Sequence, residues 1–263
     1  MTALPVLMEQ YVQYCNHATN FQTAGTIDLQ YVDFIYPTTL LPLGNLILQN
    51  NSMYNPPIDQ LVARYINTIL QNPSLDGGTG TYVPIVQLSQ NQEESRQSLE
   101  RVYDIQRRDE TLFGNAAAFT YVVGELIDNI YQHSQFTRAL IMGQKYPTKG
   151  YVDLSFFDNG ITIPVTFKNL GLNFKPHEAI AEAINGVSTV HKDRGFGLRT
   201  CTSICIKGLE GQLLVVSGLG AVYLSKDENR FYSLSDQYSL NGTLITLRVP
   251  LPAPSIDIYR YIE

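Results

Sequence analysis

The sequence predicts an α+β fold, a two-layer α/β sandwich in which helices cover one face of a mixed sheet, with a smaller α/β region at the N-terminus. Three observations support this prediction. Apolar residues recur at helical spacing between Phe119 and Ile130. Residues 152–156 alternate apolar and polar side chains, as a half-buried strand does. Beyond residue 211 several strand-like segments follow one another, which favours a layered arrangement over a doubly wound parallel sheet.

The composition is that of a folded, soluble protein of 263 residues, with 44% hydrophobic and 16% charged residues. The net charge of −6 and the lack of a Lys/Arg run make nucleic-acid binding an unfavourable interpretation, because such binding depends on neutralising phosphates. We expect no secretory leader and no membrane span, since no apolar stretch reaches roughly 18 residues. The three cysteines form no metal-ligand pattern, so reduced thiols in the cytoplasm are expected.

The first half of the chain predicts alternating helices and strands. A strand through Leu29 and Ile35 is followed by a proline turn and a leucine-rich helix. Pro84 favours an edge position for a later strand, because proline cannot donate to a sheet hydrogen bond. Asn91 is suited to cap the polar helix that it precedes. The remaining predicted segments are a helix over 58–72, a linker over 73–80, a strand over 81–88 and a helix over 91–110.

The second half predicts the main domain. The helix around residues 124–134 is followed by a strand that runs into a turn within 149–164, and then by a short helix over 177–185. A polar loop, a glycine pair and another helix ending near Gly208 occupy 186–211, and the remaining segments predict strands. The chain therefore divides into three predicted parts, an N-terminal α/β region (1–80), a connecting strand and helix (81–110) and a main domain (111–263).

Four polar islands interrupt these elements. Each has an ordinary explanation when taken alone: a solvated asparagine on a helix edge, a turn after a strand, a tight helix entry and a hairpin. The islands are Glu125 with Asn129, Asp158-Asn159-Gly160, Gly195-Phe196-Gly197-Leu198 and Asn241-Gly242-Thr243.

The chemistry of the islands taken together predicts a magnesium–nucleotide site. Asn129 offers the neutral oxygen that Mg²⁺ accepts beside phosphate and water, and Glu125, one turn earlier, could polarise a nucleophile. The Asp158 carboxylate can accept a hydrogen bond from an exocyclic amine such as adenine N6. Gly195 and Gly197 expose N–H groups at a helix N-terminus, which suits phosphate. The chain contains no Walker-type phosphate loop.

The order of the islands resembles the GHKL superfamily of histidine kinase-like ATPases. "ELIDNIYQHS" is similar to its N box, "DNGITIP" to its first glycine box, "RGFGLRT" to its second and "NGT" to its final Gly-Thr element. The resemblance covers roughly residues 110 to 250 and implies a Bergerat-type ATP-binding fold with ATP and Mg²⁺ as ligands. One position departs from the family pattern, because Thr162 stands where the first glycine box has its second glycine.

The resemblance also implies a role for each residue of the islands. Glu125 matches the catalytic carboxylate and Asn129 the Mg²⁺ ligand. Residues 188–194 match a lid whose Lys192 and Arg194 are candidate partners of the γ-phosphate. The implied nucleotide-binding residues are Asn129, His133, Asp158, Gly160, Lys192, Arg194, Gly195, Phe196, Gly197, Leu198 and Thr243.

Two functions remain open within this superfamily. The first is an ATPase or a Ser/Thr-type protein kinase, nearest in size to the anti-sigma-factor serine kinases, that acts on a regulatory or phosphoacceptor protein partner. The second is a non-catalytic, ATP-gated switch that binds its partner. A homodimer is one alternative for the oligomeric state. The N-terminal segment 27–47 resembles a STAS domain, with Thr38 near the phosphoacceptor position, although an α/β extension specific to the family is the favoured alternative.

Overall fold

The elements of the fold are numbered here in chain order over residues 3–49, 54–71, 81–107, 113–187 and 196–262, which the computed structural model describes. The helices are α1 (Val6–Ala24), α2 (Pro37–Gln49), α3 (Gln60–Gln71), α4 (Gln92–Arg107), α5 (Ala116–Asn129), α6 (Ile163–Asn169), α7 (Pro176–Ile184) and α8 (Phe196–Ser203). The strands are β1 (Ile27–Asp28), β2 (Tyr54–Asn55), β3 (Tyr82–Leu88), β4 (Ala139–Tyr146), β5 (Tyr151–Asp158), β6 (Gln212–Gly218), β7 (Gly220–Ser225), β8 (Asn229–Ser233) and β9 (Leu240–Pro250). The predicted linker over 73–80 lies outside the described residues.

The central sheet has seven strands in the order β3-β4-β5-β9-β6-β7-β8. Every pairing in it is antiparallel, whereas a mixed sheet was expected, and the short β1 and β2 form a separate parallel pair. The edge position predicted for the strand around Pro84 is confirmed, and the register of β3 against β4 shifts between Val83 and Val86. The α+β class is therefore correct, while the predicted strand directions are not.

Helices cover both faces of this sheet, which corrects the predicted one-sided cover. One face, called here the α5 face, packs Leu154, Phe156 and Ile245 against residues such as Val122 and Leu126 of α5. The opposite face, called the α2 face, is buried under α1, α2 and α3. The buried residues of that second layer are Leu7, Tyr11, Leu40, Leu41 and Ile66 from the helices, and Leu140, Met142, Phe157, Leu214 and Leu244 from the strands.

The N-terminal segment is more helical than expected. The predicted strand through Leu29 and Ile35 shrinks to the two residues of β1, and Pro37 begins α2 instead of forming a separate turn. Proline suits the first turn of a helix, where its missing N–H is not needed. Thr38 is fully buried and donates its hydroxyl to Gln10 Oε1 at 3.0 Å, so its side chain does not have the exposure of a phosphoacceptor.

The predicted helices of the main domain are confirmed, and two of them end in an unexpected way. α5 begins at the cap formed by Asn115, whose Oδ1 accepts from Ala118 N at 2.8 Å, and it continues into a π-helical turn over Ile130–Ser134. α8 likewise continues into a π-helical turn over Ile204–Gly208. The helical segment therefore ends at Gly208, as the sequence predicted. At α4, the predicted cap Asn91 accepts from Glu93 N at 3.0 Å.

The structure shows the state of the three cysteines and the apolar character of the helices. Cys15, Cys201 and Cys205 are free and buried, as reduced thiols in a core are. Within the described ranges, no helix combines the length and the apolar character needed to cross a membrane.

A buried ion pair joins the two central strands β5 and β9. Arg248 donates through Nε and Nη2 to the two carboxylate oxygens of Asp153, each at 2.7 Å, and the two residues are direct cross-strand partners. Asp153 is fully buried, and the guanidinium lies 3.9 Å from the centre of the Tyr151 ring. Such a bidentate pair fixes geometry because both hydrogen bonds are satisfied in only one register.

Asp153→Ala is expected to lower the free energy of unfolding by about 3–5 kcal/mol, because it leaves a buried guanidinium without its carboxylate. The double variant Asp153→Val with Arg248→Met should recover most of that loss, since no buried charge then remains. Chemical denaturation measures both values. Glu100→Gln is the control, because its ion pair with Arg107 at 2.7 Å is largely exposed and should contribute little. Equal losses in Asp153→Ala and Glu100→Gln would contradict the assigned role.

Candidate functional site

Glu125, Asn129 and His133 form one stripe along α5 and its π-helical turn, called here the Glu125 stripe. Successive members are four residues apart, so they lie about 40° apart around the axis and span about 12 Å along it. All three side chains are half-buried at the border of the apolar core. The stripe therefore offers polar groups at a boundary where a ligand could reach them.

Gly197 lies against the Glu125 end of the stripe. A Cβ atom at position 197 would overlap the Glu125 carboxylate in its present position, so the glycine leaves room for this side chain beside the first turn of α8. Leu198, the next residue, is buried in the core of the α5 face. The second glycine segment and the carboxylate are therefore brought together, as the sequence predicted, and α8 begins at Phe196 beside them.

The environment of Glu125 perturbs its acidity. Burial raises the pKa of the Glu125 carboxyl, and the negative charge of Asp128 raises it further, while a hydrogen bond from Tyr121 opposes both effects. Burial raises the pKa of Tyr121 itself to about 12. A carboxyl that binds protons more readily than usual suits a group that takes a proton from water or from a hydroxyl.

The middle of the stripe contains an unsatisfied amide. The Asn129 Nδ2 atom is buried and has no hydrogen-bond partner. Buried polar atoms are rarely left unpaired, so an orphaned amide in a boundary position indicates a missing partner such as water or a ligand. One turn later, burial lowers the pKa of His133, which favours the neutral imidazole.

The Asp158 turn lies against the other end of the stripe. Gly160 packs so closely on the backbone of Ser134, the last residue of the π-helical turn, that a Cβ at position 160 would overlap its carbonyl. Ile161 N donates to the same carbonyl at 2.5 Å. The turn after β5 is therefore held directly beside His133 and Ser134.

Asp158 is a buried carboxylate at the end of β5, with only 4% of its surface exposed. Burial raises the pKa of its carboxyl to about 7, against the lowering effects of a hydrogen bond from the Gly160 N–H and of the nearby Ser134 hydroxyl. The Gly160 N–H donates to Asp158 Oδ1 at 2.9 Å, whereas the Ser134 hydroxyl donates to the Ile130 carbonyl at 2.8 Å. The carboxylate therefore retains acceptor capacity for a ligand.

Three strand ends present polar side chains in one row on the α5 face, called here the strand-end row. Asp158 of β5 pairs with Thr243 of β9, and Thr243 pairs with Ser217 of β6. The Thr243 and Ser217 hydroxyls lie 2.9 Å apart. Gly242, at φ +111°, lets the chain pass against the Asp158 carbonyl before Thr243, a conformation that favours glycine.

Two residues of the first glycine box have structural roles. Asn159 Oδ1 accepts from the backbone N–H groups of Thr137 and Arg138 at 3.0 and 2.8 Å, so it ties the start of β4 to this turn. Thr162, the departure from the family pattern, caps α6 by accepting from Val165 N at 3.4 Å. The threonine at this position therefore begins a helix.

Ser134 and Ser217 belong to the site but were not predicted from the sequence. Ser134 is the last residue of the segment that resembles the N box, whereas Ser217 stands in no motif. Lys192, Arg194 and Gly195, together with the predicted lid over 188–194, lie outside the described residues. Among the residues that the structure describes, no three His, Cys, Asp or Glu side chains form a metal-binding group. A Mg²⁺ ion held by one amide, phosphates and water needs no such group.

Asp158→Asn is expected to stabilise the fold, and more at pH 8 than at pH 4. The pKa of Asp158 is raised from 3.8 to about 7 in the folded protein, so the folded state holds a proton that the unfolded state releases between these values. The wild type therefore loses stability as pH rises through this window, by about 4 kcal/mol at most at about 1.4 kcal/mol per pKa unit. Denaturation at several pH values measures the difference, and a difference independent of pH would contradict the raised pKa.

No family model, no curated protein and no solved structure matches the chain.

Proposed function

We propose that this protein binds Mg–ATP along the Glu125 stripe, with the base at the Asp158 end and the phosphates at the Gly197 end. One observation carries the proposal. Two glycine segments that are distant in sequence pack on opposite ends of the same helix, Gly160 on Ser134 and Gly197 on Glu125. A nucleotide that extends along the stripe would contact all four predicted islands at once.

The base end supports adenine through its hydrogen-bonding groups. The Asp158 carboxylate is buried and has little contact with water. A hydrogen bond from the exocyclic N6 of adenine would therefore form without displacing much solvent from this group. Gly160 lies against the Ser134 backbone and Gly242 against the Asp158 backbone, and Thr243 pairs with Asp158 on the neighbouring strand. In the proposed complex Asp158, Gly160 and Thr243 bind the base.

The phosphate end supports magnesium through Asn129. The Asn129 Oδ1 would bind the ion. The Asn129 Nδ2, which has no hydrogen-bond partner in the structure, would donate to a phosphate oxygen or to a water molecule in the coordination shell. The N–H groups at the start of α8 would face phosphate oxygens. Glu125 would orient the nucleophile. His133, Phe196 and Leu198, with Lys192, Arg194 and Gly195, complete the proposed set of binding residues.

The proposed biological role is that of a histidine kinase-like ATPase acting with a partner protein. In this proposal the sheet with α5 and α8 forms a Bergerat-type ATP-binding unit, and the enzyme hydrolyses ATP or transfers its phosphoryl group to a Ser or Thr of a regulatory protein. The raised pKa of Glu125 supports turnover, because a base with a higher proton affinity activates water or a hydroxyl more effectively.

A non-catalytic switch is the second candidate, and exposed apolar side chains favour it. Val165, Leu170, Leu172 and Phe174 are each at least 39% exposed in α6 and the segment after it. This segment begins at Ile163, whose N–H donates to Ser217 in the strand-end row at 2.9 Å. A ligand at the base end could therefore shift a surface suited to a protein partner.

Asn129→Ala should abolish magnesium-dependent ATP binding, because it removes the single amide that the proposal assigns to the metal. Isothermal titration with ATP, with and without Mg²⁺, measures the effect. Gln132→Ala is the matched control, since it removes an exposed amide from the same helical end and should leave the affinity unchanged. Equal ATP affinity in wild type and Asn129→Ala would overturn the metal assignment.

Glu125→Gln separates the enzyme from the switch. If the protein is an enzyme, the variant should retain ATP binding and lose at least about a hundredfold in turnover, the scale of general base catalysis. A radiolabelled-ATP assay follows both hydrolysis and transfer to co-purifying proteins. Glu100→Gln is the control, because this exposed acid on α4 pairs with Arg107 at 2.7 Å and has no part in the proposed site. Negligible turnover in wild type, with ATP-dependent partner binding in both proteins, would support the switch.

A further inference from the structure

The two edges of the seven-stranded sheet differ in how well they can accept another strand. β3 forms one edge and contains two features that hinder pairing, namely Pro84 and the register shift between Val83 and Val86. β8 forms the other edge, contains no proline and keeps an uninterrupted register against β7. An open edge of this kind is a template to which a strand of another chain can add by backbone hydrogen bonds.

The backbone of β8 alternates between β7 and the outer side of the sheet. Beyond one end of the strand, Leu234 N donates to the Leu219 carbonyl at 2.8 Å. Beyond the other end, Ser225 N donates to the Glu228 carbonyl at 2.9 Å. Because hydrogen-bonded and non-hydrogen-bonded pairs alternate along an antiparallel ladder, the even-numbered residues of β8 turn their backbone groups to β7 and the odd-numbered residues turn theirs outward. The outward residues of β8 are Asn229, Phe231 and Ser233.

These outward groups are available for pairing. Within the part of the chain that the structure describes, no hydrogen bond reaches the backbone N–H and C=O groups of Asn229, Phe231 or Ser233. A further strand along β8 would satisfy all of them.

Apolar side chains are exposed along the same edge. Phe231 is 50% exposed and lies on the α5 face, since its partner on β7 belongs to the core of that face. On the α2 face, Arg230 Nη1 donates to the Ala3 carbonyl at 2.5 Å, which holds the N-terminal segment close to β8. The next apolar residues of that segment, Leu4 and Val6, are 41% and 51% exposed. Exposed apolar groups beside an open edge are typical of a protein interface.

β8 is complementary to a second copy of itself. In an interface with two-fold symmetry, if one residue contacts a second residue of the partner, the second contacts the first in return. An antiparallel pair with its axis at Phe231 places Phe231 opposite the partner's Phe231 and Asn229 opposite the partner's Ser233. All of these are outward residues, so the two strands would exchange about six hydrogen bonds.

The charges of the strand favour this register over its two neighbours. An axis at Arg230 would place two arginines directly opposite each other, and like charges in this position are destabilising. An axis at Tyr232 would bring Glu228 toward the partner's Asp236, again a pair of like charges. With the axis at Phe231, Arg230 lies opposite the partner's Tyr232, where a guanidinium can contact an aromatic ring.

We propose that two copies of this chain associate through β8, antiparallel about a two-fold axis at Phe231, so that their two sheets become one continuous sheet. Backbone hydrogen bonds hold the two strands together, and the paired Phe231 rings bury apolar surface at the axis. The inference stands apart from the proposed binding of ATP, because no residue of the Glu125 stripe belongs to β8.

The mass of the full chain in solution tests the proposal. Sedimentation and light scattering over a range of concentrations should give wild type twice the mass of the 29.5 kDa chain. Phe231→Lys should halve that mass, because two ammonium groups would then face each other at the axis. Tyr31→Lys is the matched control, since it replaces an aromatic residue that is 83% exposed and lies outside β8, and it should remain a dimer. A monomeric wild type, whether or not another protein occupies the edge, overturns the proposal, and so does a dimeric Phe231→Lys variant.

A cysteine at the axis tests the register and does not depend on the folding of Phe231→Lys. Opposed residues of a hydrogen-bonded pair have Cα atoms about 5.5 Å apart, which lies within the range of a disulfide. Phe231→Cys should therefore form a covalent dimer on mild oxidation, visible on a non-reducing gel. Asn229→Cys is the control, because position 229 faces the partner's Ser233 rather than its own copy, and it should remain uncross-linked. The three native cysteines are buried. Cross-linking of Asn229→Cys to the same extent as Phe231→Cys would overturn the proposed pairing.

Discussion

The register between β5 and β9 is the constraint on which the candidate site depends. Direct pairing places Asp158 opposite Thr243 at one end of the two strands and Asp153 opposite Arg248 nearer the other. A slip of one residue would turn every side chain of a strand to the opposite face, so Asp158 would leave the α5 face and enter the layer under α2. The bidentate ion pair of Asp153 and Arg248 on the α2 face therefore protects the polar row on the α5 face.

Two glycines lie close to the helix that carries the stripe, one in α8 and one in the turn after β5. At one end Gly197 leaves room for the Glu125 carboxylate, and at the other end Gly160 leaves room for the Ser134 carbonyl. The π-helical turn at Ile130–Ser134 widens the last part of α5, and such turns often occur at functional sites. The contact at Gly160 is with backbone atoms, so the fold itself sets the position of the Asp158 turn against the end of the stripe.

Much of the site could be predicted from the sequence because its residues stand in short local patterns. The helical spacing around Glu125 and Asn129, the strand before Asp158 and the glycine pair 195/197 are each readable within about ten residues. β4 was missed because both of its faces are buried, so its sequence shows no alternation of apolar and polar side chains. The contacts of Ser134 and Ser217 depend on pairing between distant segments, which no local pattern encodes.

The cover of the second face of the sheet was missed for a related reason. The apolar residues of α2 predicted a buried helix but not the surface against which it packs. Strand residues such as Met142 and Leu244 face α2, whereas the next residues along, such as Ile141 and Ile245, belong to the core under α5. A sheet buried on both sides presents continuous apolar strands, and these fit an additional helical layer as well as a one-sided sandwich.

The two-sided burial of the sheet has a practical consequence for shortening the chain. A fragment that starts at residue 111 would lack α1, α2 and the edge strand β3. Leu140, Met142, Phe157, Leu214 and Leu244 would then face water as one continuous apolar surface, and β4 would become an open edge. Such a fragment would tend to self-associate through that surface, so the N-terminal helices serve as an intramolecular cover for this face of the sheet.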